Sequence, residues 1–166
     1  MGMDTHLPTS DFAREVACVP GGEAIYKCVQ CGICTASCVV ASVSEKYRPR
    51  ELIQRILIGM REEVLTSVLP WLCVTCRMCT ERCQEDVSPA DIFHAVRYVA
   101  AREGHIPRVF SNGVDSVLQD GWMLESGYSD FIEDERDDLG LHTNLDWNNQ
   151  FVRRIKEKYF EGVLTQ

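Results

Sequence analysis

The sequence predicts a mainly α-helical fold in which two cysteine-rich loops lie between helices. Apolar residues recur at helical spacing in several stretches, one stretch begins with a strong helix-start signal, and no pair of stretches shows the alternation of β-strands. The 166 residues suffice for one compact domain and a tail. We divide the chain into an N-terminal extension (1–22), a central domain (23–106) and a C-terminal extension (107–166).

The N-terminal extension is expected to hold a short helix near residues 10–18 and to cover part of the central domain. Pro8, Pro20 and the pair Gly21–Gly22 interrupt it. Because no basic segment followed by an apolar one marks a secretory signal, we expect a cytoplasmic protein.

Eight of the nine cysteines form two copies of the pattern C-x2-C-x2-C-x3-C. The first run is Cys28, Cys31, Cys34 and Cys38, and the second is Cys73, Cys76, Cys79 and Cys83. This spacing is typical of the ligands of [4Fe–4S] clusters, and it predicts an electron carrier with two such clusters in loops between helices.

We expect the fourth cysteine of each run to bind the cluster of the other run, as in two-cluster ferredoxins. Cluster 1 would then be held by Cys28, Cys31, Cys34 and Cys83, and cluster 2 by Cys73, Cys76, Cys79 and Cys38. The ninth cysteine, Cys18, lies outside both runs and is expected to be a small buried or idle residue.

Three other uses of cysteine fit the pattern less well. Structural zinc usually takes two C-x2-C pairs a dozen or more residues apart. A disulfide framework needs an oxidising compartment. A thioredoxin-like dithiol needs only one C-x-x-C pair, whereas this chain has two matching four-cysteine runs.

The segment between the runs, residues 39–72, is too long for a bare loop and is predicted to be helical. Pro49 suits the first turn of a helix, and a single apolar face follows. That face consists of Leu52, Ile53, Ile56, Leu57, Met60 and Val64. Gly59 is expected to separate a second short helix near residues 61–68.

A further helix is predicted directly after the second run. Ser88 is a suitable N-cap, Pro89 a suitable first residue, and Asp91 an acidic residue in the first turn. Gly104 is expected to end this helix, with Pro107 just beyond it.

The C-terminal extension has two parts. Residues 108–145 contain four glycines and an acidic run around Arg136, and we expect a solvated surface segment there. A final amphipathic helix is predicted from about residue 146 to 160. Its apolar stripe is Trp147, Phe151, Ile155 and Tyr159, beside the basic residues Arg153, Arg154, Lys156 and Lys158.

Charge and motifs exclude several functions. The formal net charge of −8 disfavours nucleic-acid binding, and no apolar stretch is long enough to insert into a membrane. The sequence lacks dinucleotide, P-loop and zinc-protease motifs, and its four histidines do not cluster. We therefore expect no catalytic residue and no substrate site on this chain.

The two runs differ in charge. Arg77 and Arg82, partly offset by Glu81, lie within the second run, whereas no charged residue lies between the cysteines of the first. Positive charge stabilises a reduced cluster, so we expect the two clusters to differ in potential.

About residues 25–103 resemble the C-type iron–sulfur subunit of heterodisulfide reductases. The resemblance rests on KCVQCGICTASC, RELIQRILIGMREEVL, WLCVTCRMCTERC and SPADIFHAVR. It implies an α-helical ferredoxin with the same eight cysteine ligands, which passes electrons from a flavin subunit to a disulfide-reducing subunit. The chain departs from the usual pattern at Val39 and Gln84, where a proline often follows the fourth cysteine.

The sequence thus predicts an electron-transfer subunit of a heterodisulfide-reductase-type complex. The alternative within redox proteins is the iron–sulfur subunit of a glycerol-3-phosphate, lactate or succinate dehydrogenase. The alternative from another class is a zinc-bound interaction module.

Overall fold

The protein is described by a computed structural model that covers residues 11–120, 134–135, 137–140, 149–155 and 157–158. Every regular element in these residues is helical, which confirms the mainly α-helical class. The α-helices are α1 (Asp11–Ala17), α2 (Ile33–Ala36), α3 (Pro49–Leu57), α4 (Arg61–Leu65), α5 (Met78–Glu81), α6 (Pro89–Arg102), α7 (Arg108–Asp120) and α8 (Asn149–Ile155). Two 3₁₀ helices span Glu23–Lys27 and Leu69–Leu72.

The chain forms two compact units, Met1–His105 and Ile106–Gln166. The first unit contains both cysteine runs and the hydrophobic core, and the second contains α7 and α8. The finer division of the sequence into three segments stays a prediction.

Helix α6 is the central element of the first unit. Its start is the predicted one: the backbone N–H of Asp91 donates to the Ser88 hydroxyl at 3.5 Å, and Pro89 is the first helical residue. Its end is also the predicted one, because Gly104 has φ 79° and the N–H groups of Gly104 and His105 close the last turn. The buried residues of α6 are Pro89, Ala90, Ile92, Phe93, Ala95, Val96, Val99 and Ala100.

Two helices separate the cysteine runs, as predicted. Helix α3 begins at Pro49 and buries Leu52, Ile53 and Ile56 in the core, and α4 follows after the break at Gly59. Helix α4 adds Val64 and Leu65. Four of the six residues of the predicted apolar face are therefore buried, whereas Leu57 is half-buried and Met60 is exposed.

Helix α1 is part of the same core. It buries Phe12, Ala13 and Val16 and packs against α3 and α6. An ion-pair network ties it to the other helices: the Arg61 guanidinium contacts Glu15 at 2.8 Å and also pairs with Glu103. The predicted helix near residues 10–18 is confirmed.

Residues 108–145 begin with an unpredicted helix, α7 (Arg108–Asp120). No described side chain of α7 is buried, as expected for a solvated segment. Gly113 lies within this helix and does not break it. A single glycine costs a helix only about 1 kcal/mol relative to alanine, which neighbouring turns can offset. The described acidic residues farther along, Asp134, Glu135, Asp137 and Asp138, are exposed, as expected for a solvated segment.

The predicted C-terminal helix is present as α8, which is shorter than the expected 146–160. Val152 is buried within it, and Arg153 and Arg154 are exposed. Of the predicted stripe, Ile155 is half-buried, whereas Trp147 and Tyr159 and the side chain of Phe151 lie outside the described residues. In the part of the chain that the structure describes, no helix is both long and apolar enough to cross a bilayer.

Replacing Ile56 by aspartate should unfold the first unit. Ile56 is fully buried on α3, and an unpaired carboxylate there costs roughly 3–5 kcal/mol of unfolding free energy. Denaturant unfolding monitored by circular dichroism measures the loss. Gln54→Asp, at an exposed position of the same helix, is the control and should change stability by no more than about 0.5 kcal/mol. Equal stability of the two variants would contradict the assignment of the buried face.

Candidate iron–sulfur site

The two cysteine runs are built in the same way. Each 3₁₀ helix ends at the first cysteine of its run, so Cys28 follows Glu23–Lys27 and Cys73 follows Leu69–Leu72. Each run then contains a one-turn helix, α2 or α5, and is followed by a longer helix with proline at its first position, α3 or α6. The duplication therefore extends beyond the cysteines to the elements around them.

The backbone repeats the same turn in both runs. The residue two positions after the first cysteine has a positive φ, 58° at Gln30 and 56° at Thr75. The residue four positions after it also does, with 88° at Gly32 and 59° at Arg77. Non-glycine residues, and β-branched ones above all, rarely adopt this conformation, so both turns are conformationally demanding.

A hydroxyl links each one-turn helix to the longer helix that follows. The Thr35 hydroxyl accepts the N–H of Arg50 in the first turn of α3 at 2.9 Å. At the matching position of the second run, the Thr80 hydroxyl lies 2.9 Å from the hydroxyl of Ser88, the N-cap of α6. These bonds fix each cysteine loop against the start of a helix.

The first cavity, of about 380 Å³ and open to solvent, is lined by three cysteines of the first run and one of the second. These are Cys28, Cys31, Cys34 and Cys83. Ile53, Val87 and Pro89 supply apolar wall, and Arg50 and Glu85 are the charged residues.

The second cavity, of about 330 Å³, has the reciprocal lining. Its cysteines are Cys73, Cys76, Cys79 and Cys38. Tyr47, Ala90 and Phe93 line its wall, and Arg77 is its charged residue. The structure thus brings together the two cysteine sets that the spacing predicts, including the exchange of Cys38 and Cys83.

The two cavities lie on either side of the starts of α3 and α6. At the start of α6, Pro89 lines the first cavity and Ala90 lines the second. At the start of α3, Arg50 lines the first cavity and Pro49 lines the second. Because neighbouring residues reach different cavities, the first turns of these two helices lie between them.

Burial of the cysteines favours the protonated thiol. It raises the pKa of the Cys34 thiol to about 11, and burial is also the main cause of the raised pKa of Cys28 and of Cys79. Metal ligation requires thiolate, so loading of either cavity must release protons. In the first cavity, the Gln30 side-chain N–H donates to Cys28 Sγ at 3.3 Å, a bond that favours a negatively charged sulfur.

Arg97 is a supporting residue that the sequence does not single out. From α6 it donates to the backbone carbonyls of Pro70 at 2.8 Å and Cys73 at 2.6 Å, and its guanidinium lies 5.9 Å from the centre of the Trp71 ring. It holds the second 3₁₀ helix and the start of the second run. The sequence signal that could have identified Arg97 is a basic residue beside the apolar stripe of a predicted helix.

The two arginines of the second run have different surroundings. Arg77 forms a two-point ion pair with Asp91 at 2.7 and 3.2 Å. Hydrogen bonding to Ser88 and then this arginine hold the pKa of Asp91 below its usual value. Arg82 is exposed, with a long 3.4 Å contact to the Ser37 hydroxyl of the first run.

The remaining candidates lie outside the cavities. Cys18 is exposed, which excludes the buried alternative, and it lies apart from both cysteine sets. His94 is exposed on α6, with Nε2 3.3 Å from the Thr75 hydroxyl.

The cysteine sets fit an iron–sulfur cluster better than a single ion. Within the described ranges, no three His, Cys, Asp or Glu side chains lie close enough together to hold one metal ion. A zinc ion draws all its thiolates to about 2.3 Å, whereas a cubane takes one cysteine per iron and so spreads its ligands. Four soft sulfur donors around a shared cavity, with an N–H···S bond to one of them, suit such a cluster.

The comparisons with known proteins agree with this geometry. Residues 24–87 match the family described as "4Fe-4S dicluster domain". Together, the helical fold and this match define an iron–sulfur protein with two [4Fe–4S] clusters.

Named relatives identify the family. The C-type subunit of the H(2):CoB-CoM heterodisulfide,ferredoxin reductase of Methanothermobacter thermautotrophicus is 36% identical over 147 residues, which cover 89% of this chain and 77% of that protein. The C-type iron-sulfur subunit of the CoB--CoM heterodisulfide reductase of Methanopyrus kandleri is 31% identical over 133 residues, which cover 80% of this chain and 68% of that protein. A protein of Archaeoglobus profundus, named as like this type of heterodisulfide reductase subunit, is 36% identical over 101 residues, which span 61% of this chain and about half, 54%, of that protein. The chain belongs to the family of C-type heterodisulfide reductase subunits.

Replacing Arg77 by glutamine should lower the potential of the cluster in the second cavity alone. The change leaves the Asp91 carboxylate without its partner beside that cavity, and negative charge disfavours reduction. The arginine is half-exposed, so we expect an effect on the order of 0.2–1 kcal/mol, or roughly 10–40 mV for a one-electron couple. An anaerobic redox titration measures it. Arg77→Lys, which keeps the charge, should shift the potential less, and an equal shift in both variants would contradict an electrostatic origin.

Proposed function

We propose that this chain is the electron-transfer subunit of a heterodisulfide-reductase-type complex. In this proposal it relays electrons through two [4Fe–4S] clusters, held in loops between helices, from a flavin subunit to a disulfide-reducing subunit. The chain itself contributes no catalytic residue and no substrate site.

One observation carries the proposal: each cavity is lined by three cysteines of one run and the fourth cysteine of the other. Crossed ligation of this kind makes the two clusters part of one folded unit. Each bound cluster takes up and releases one electron. The chain's own residues fix the spacing of the two centres, because the first turns of α3 and α6 lie between them.

The chain also controls the surroundings of each centre. Apolar residues from both helices wall the cavities and limit water on that side. Cys31 and Cys76, the second cysteines of the two runs, are exposed. We infer that each cluster therefore approaches the surface on its own side, which suits a relay that accepts electrons at one centre and releases them at the other.

The proposed partners follow from the relatives. Their names describe C-type subunits of CoB-CoM heterodisulfide reductases. The name of the Methanothermobacter protein also includes ferredoxin, and the name of the Methanopyrus protein includes iron-sulfur. Reducing any disulfide to two thiols takes two electrons and two protons, so the partner that performs it must collect two single-electron deliveries. That partner, and not this chain, selects the disulfide.

The direct test is purification of the full-length chain and its partners without oxygen. The proposal expects about eight iron per chain, a brown colour that bleaches with dithionite, and copurification with a flavoprotein and a disulfide-reducing protein. A colourless chain that contains zinc instead of iron would support the interaction-module alternative. A chain that binds both clusters but copurifies with a dehydrogenase would support the alternative of a dehydrogenase iron–sulfur subunit.

Crossed ligation predicts a reciprocal effect of two serine substitutions. Cys83→Ser should alter or remove the electron paramagnetic resonance signal of the cluster held by Cys28, Cys31 and Cys34, and it should leave the other signal intact. Cys38→Ser is the matched variant and should alter only the cluster held by Cys73, Cys76 and Cys79. If each substitution instead disturbed the cluster of its own run, the crossing would be wrong.

We predict that the C-terminal helix docks on a partner protein of the complex. Its predicted aromatic stripe and basic face, within an acidic chain, are features that favour protein interfaces. Arg153 and Arg154 are exposed on α8. Deleting residues 146–166 should leave both clusters and the stability of the chain unchanged while abolishing copurification with the partner. Loss of the clusters on deletion would show that the segment belongs to the core instead.

A further inference from the structure

The two cavities differ in the polar groups beside their first cysteine. A donor to a ligating sulfur stabilises the additional negative charge of a reduced cluster and so raises its potential. In the first cavity the donor is local, since Gln30 lies two residues after Cys28 and its amide nitrogen lies 3.3 Å from Cys28 Sγ.

The equivalent residue of the second run is not used in this way. Thr75 has nearly the same backbone conformation as Gln30, with φ 56° against 58°. Its hydroxyl, however, lies 3.3 Å from His94 Nε2 and is directed to α6. Any donor to Cys73, the counterpart of Cys28, must therefore come from elsewhere in the chain.

Tyr47 fills that place. It precedes α3 in the chain, is 1% exposed, and lines the second cavity together with the four cysteines of that set. Burial, and then the neighbouring Cys73 side chain, raise the pKa of Tyr47, so the hydroxyl lies beside Cys73 in the cavity wall. Its ring packs edge-on against Phe93, with ring centres 6.3 Å apart and planes at 69°, so the direction of the hydroxyl is fixed by core packing.

The direction of the hydrogen bond follows from the protonation states. A tyrosine hydroxyl ordinarily keeps its proton at neutral pH. A cysteine that ligates iron is a thiolate with no proton to give, so Tyr47 is the donor and the sulfur is the acceptor.

We propose that Tyr47 acts through Cys73 to raise the reduction potential of the cluster in the second cavity. The inference rests on the proposed ligation of that cluster by Cys38, Cys73, Cys76 and Cys79. This effect is separate from that of the Arg77 charge. Tyr47 is a buried neutral donor, so dissolved salt does not screen its effect on the potential. A phenol is a stronger donor than the side-chain amide that serves the first cavity, so the effect should be larger in the second.

The test is Tyr47→Phe in the full-length chain with both clusters bound. Phenylalanine keeps the ring and its packing against Phe93 and removes only the hydroxyl. In an anaerobic redox titration followed by electron paramagnetic resonance, the ratio of reduced to oxidised second-cavity cluster should fall by roughly threefold at the wild-type midpoint potential, which is about 28 mV for a one-electron couple. The first-cavity cluster should titrate as in the wild type. The Cys83→Ser and Cys38→Ser variants assign the two signals to their cavities.

Two further variants make the test specific. Tyr98→Phe makes the same chemical change at an exposed ring of α6 and should move neither potential. Gln30→Leu removes the local donor and should lower only the potential of the first cluster. Exchange into deuterated water should remove an exchangeable proton coupling from the second-cavity signal in the wild type, and Tyr47→Phe should lack that coupling from the start.

The outcomes separate the inference from the proposed function. An unchanged second-cavity potential in Tyr47→Phe, with both clusters bound, overturns the inference alone. An equal shift of both potentials, or loss of about four iron per chain, assigns Tyr47 a purely structural role and also overturns it. A wild-type chain that binds fewer than two clusters contradicts the proposed function itself.

Discussion

The burial of helix α6 is the constraint on which the rest of the structure depends. Its apolar residues pack against α1, α4, α5 and both 3₁₀ helices, and each large side chain that it removes from water contributes about 1.5–3 kcal/mol. The same helix begins between the two cavities and carries Arg97, which holds the backbone of Cys73. Core packing and the geometry of the site are therefore set by one element, and a change to its inner face would disturb both.

The duplicated design explains how short loops can hold two demanding sites. Each run places three thiols around one cavity and its fourth in the other. Each run also has positive φ values at two residues, a conformation that non-glycine residues adopt at a cost. The cost is offset outside the loops, by a 3₁₀ helix before each run and a proline-started helix after it, with Thr35 or Thr80 joining loop to helix. The exchange of Cys38 and Cys83 between cavities makes neither half complete without the other.

Pseudo-symmetry of the backbone does not extend to the polar groups near the sulfurs. Gln30 donates to Cys28, whereas Thr75 contacts His94 and Tyr47 lies with Cys73 in the wall of the second cavity. Arg77, paired with Asp91, lies only at the second cavity. The two cavities therefore have different polar surroundings although the backbone around them is shared.

The sequence by itself determined the helical class, the bounds of α6 and the apolar face of α3, because capping residues and helical periodicity are local properties. It also determined which cysteines belong to a repeated ligand pattern, since spacing along the chain is all that pattern requires. Helix α7 is not predicted, because a glycine inside a helix resembles a break until neighbouring turns are known. Only the tertiary structure decided that α1 joins the core, that Arg61 binds Glu15 and Glu103, and that Arg97 and Tyr47 reach the second run. These contacts join residues far apart in the chain, and no local pattern encodes which distant partner a buried side chain meets when the helices pack.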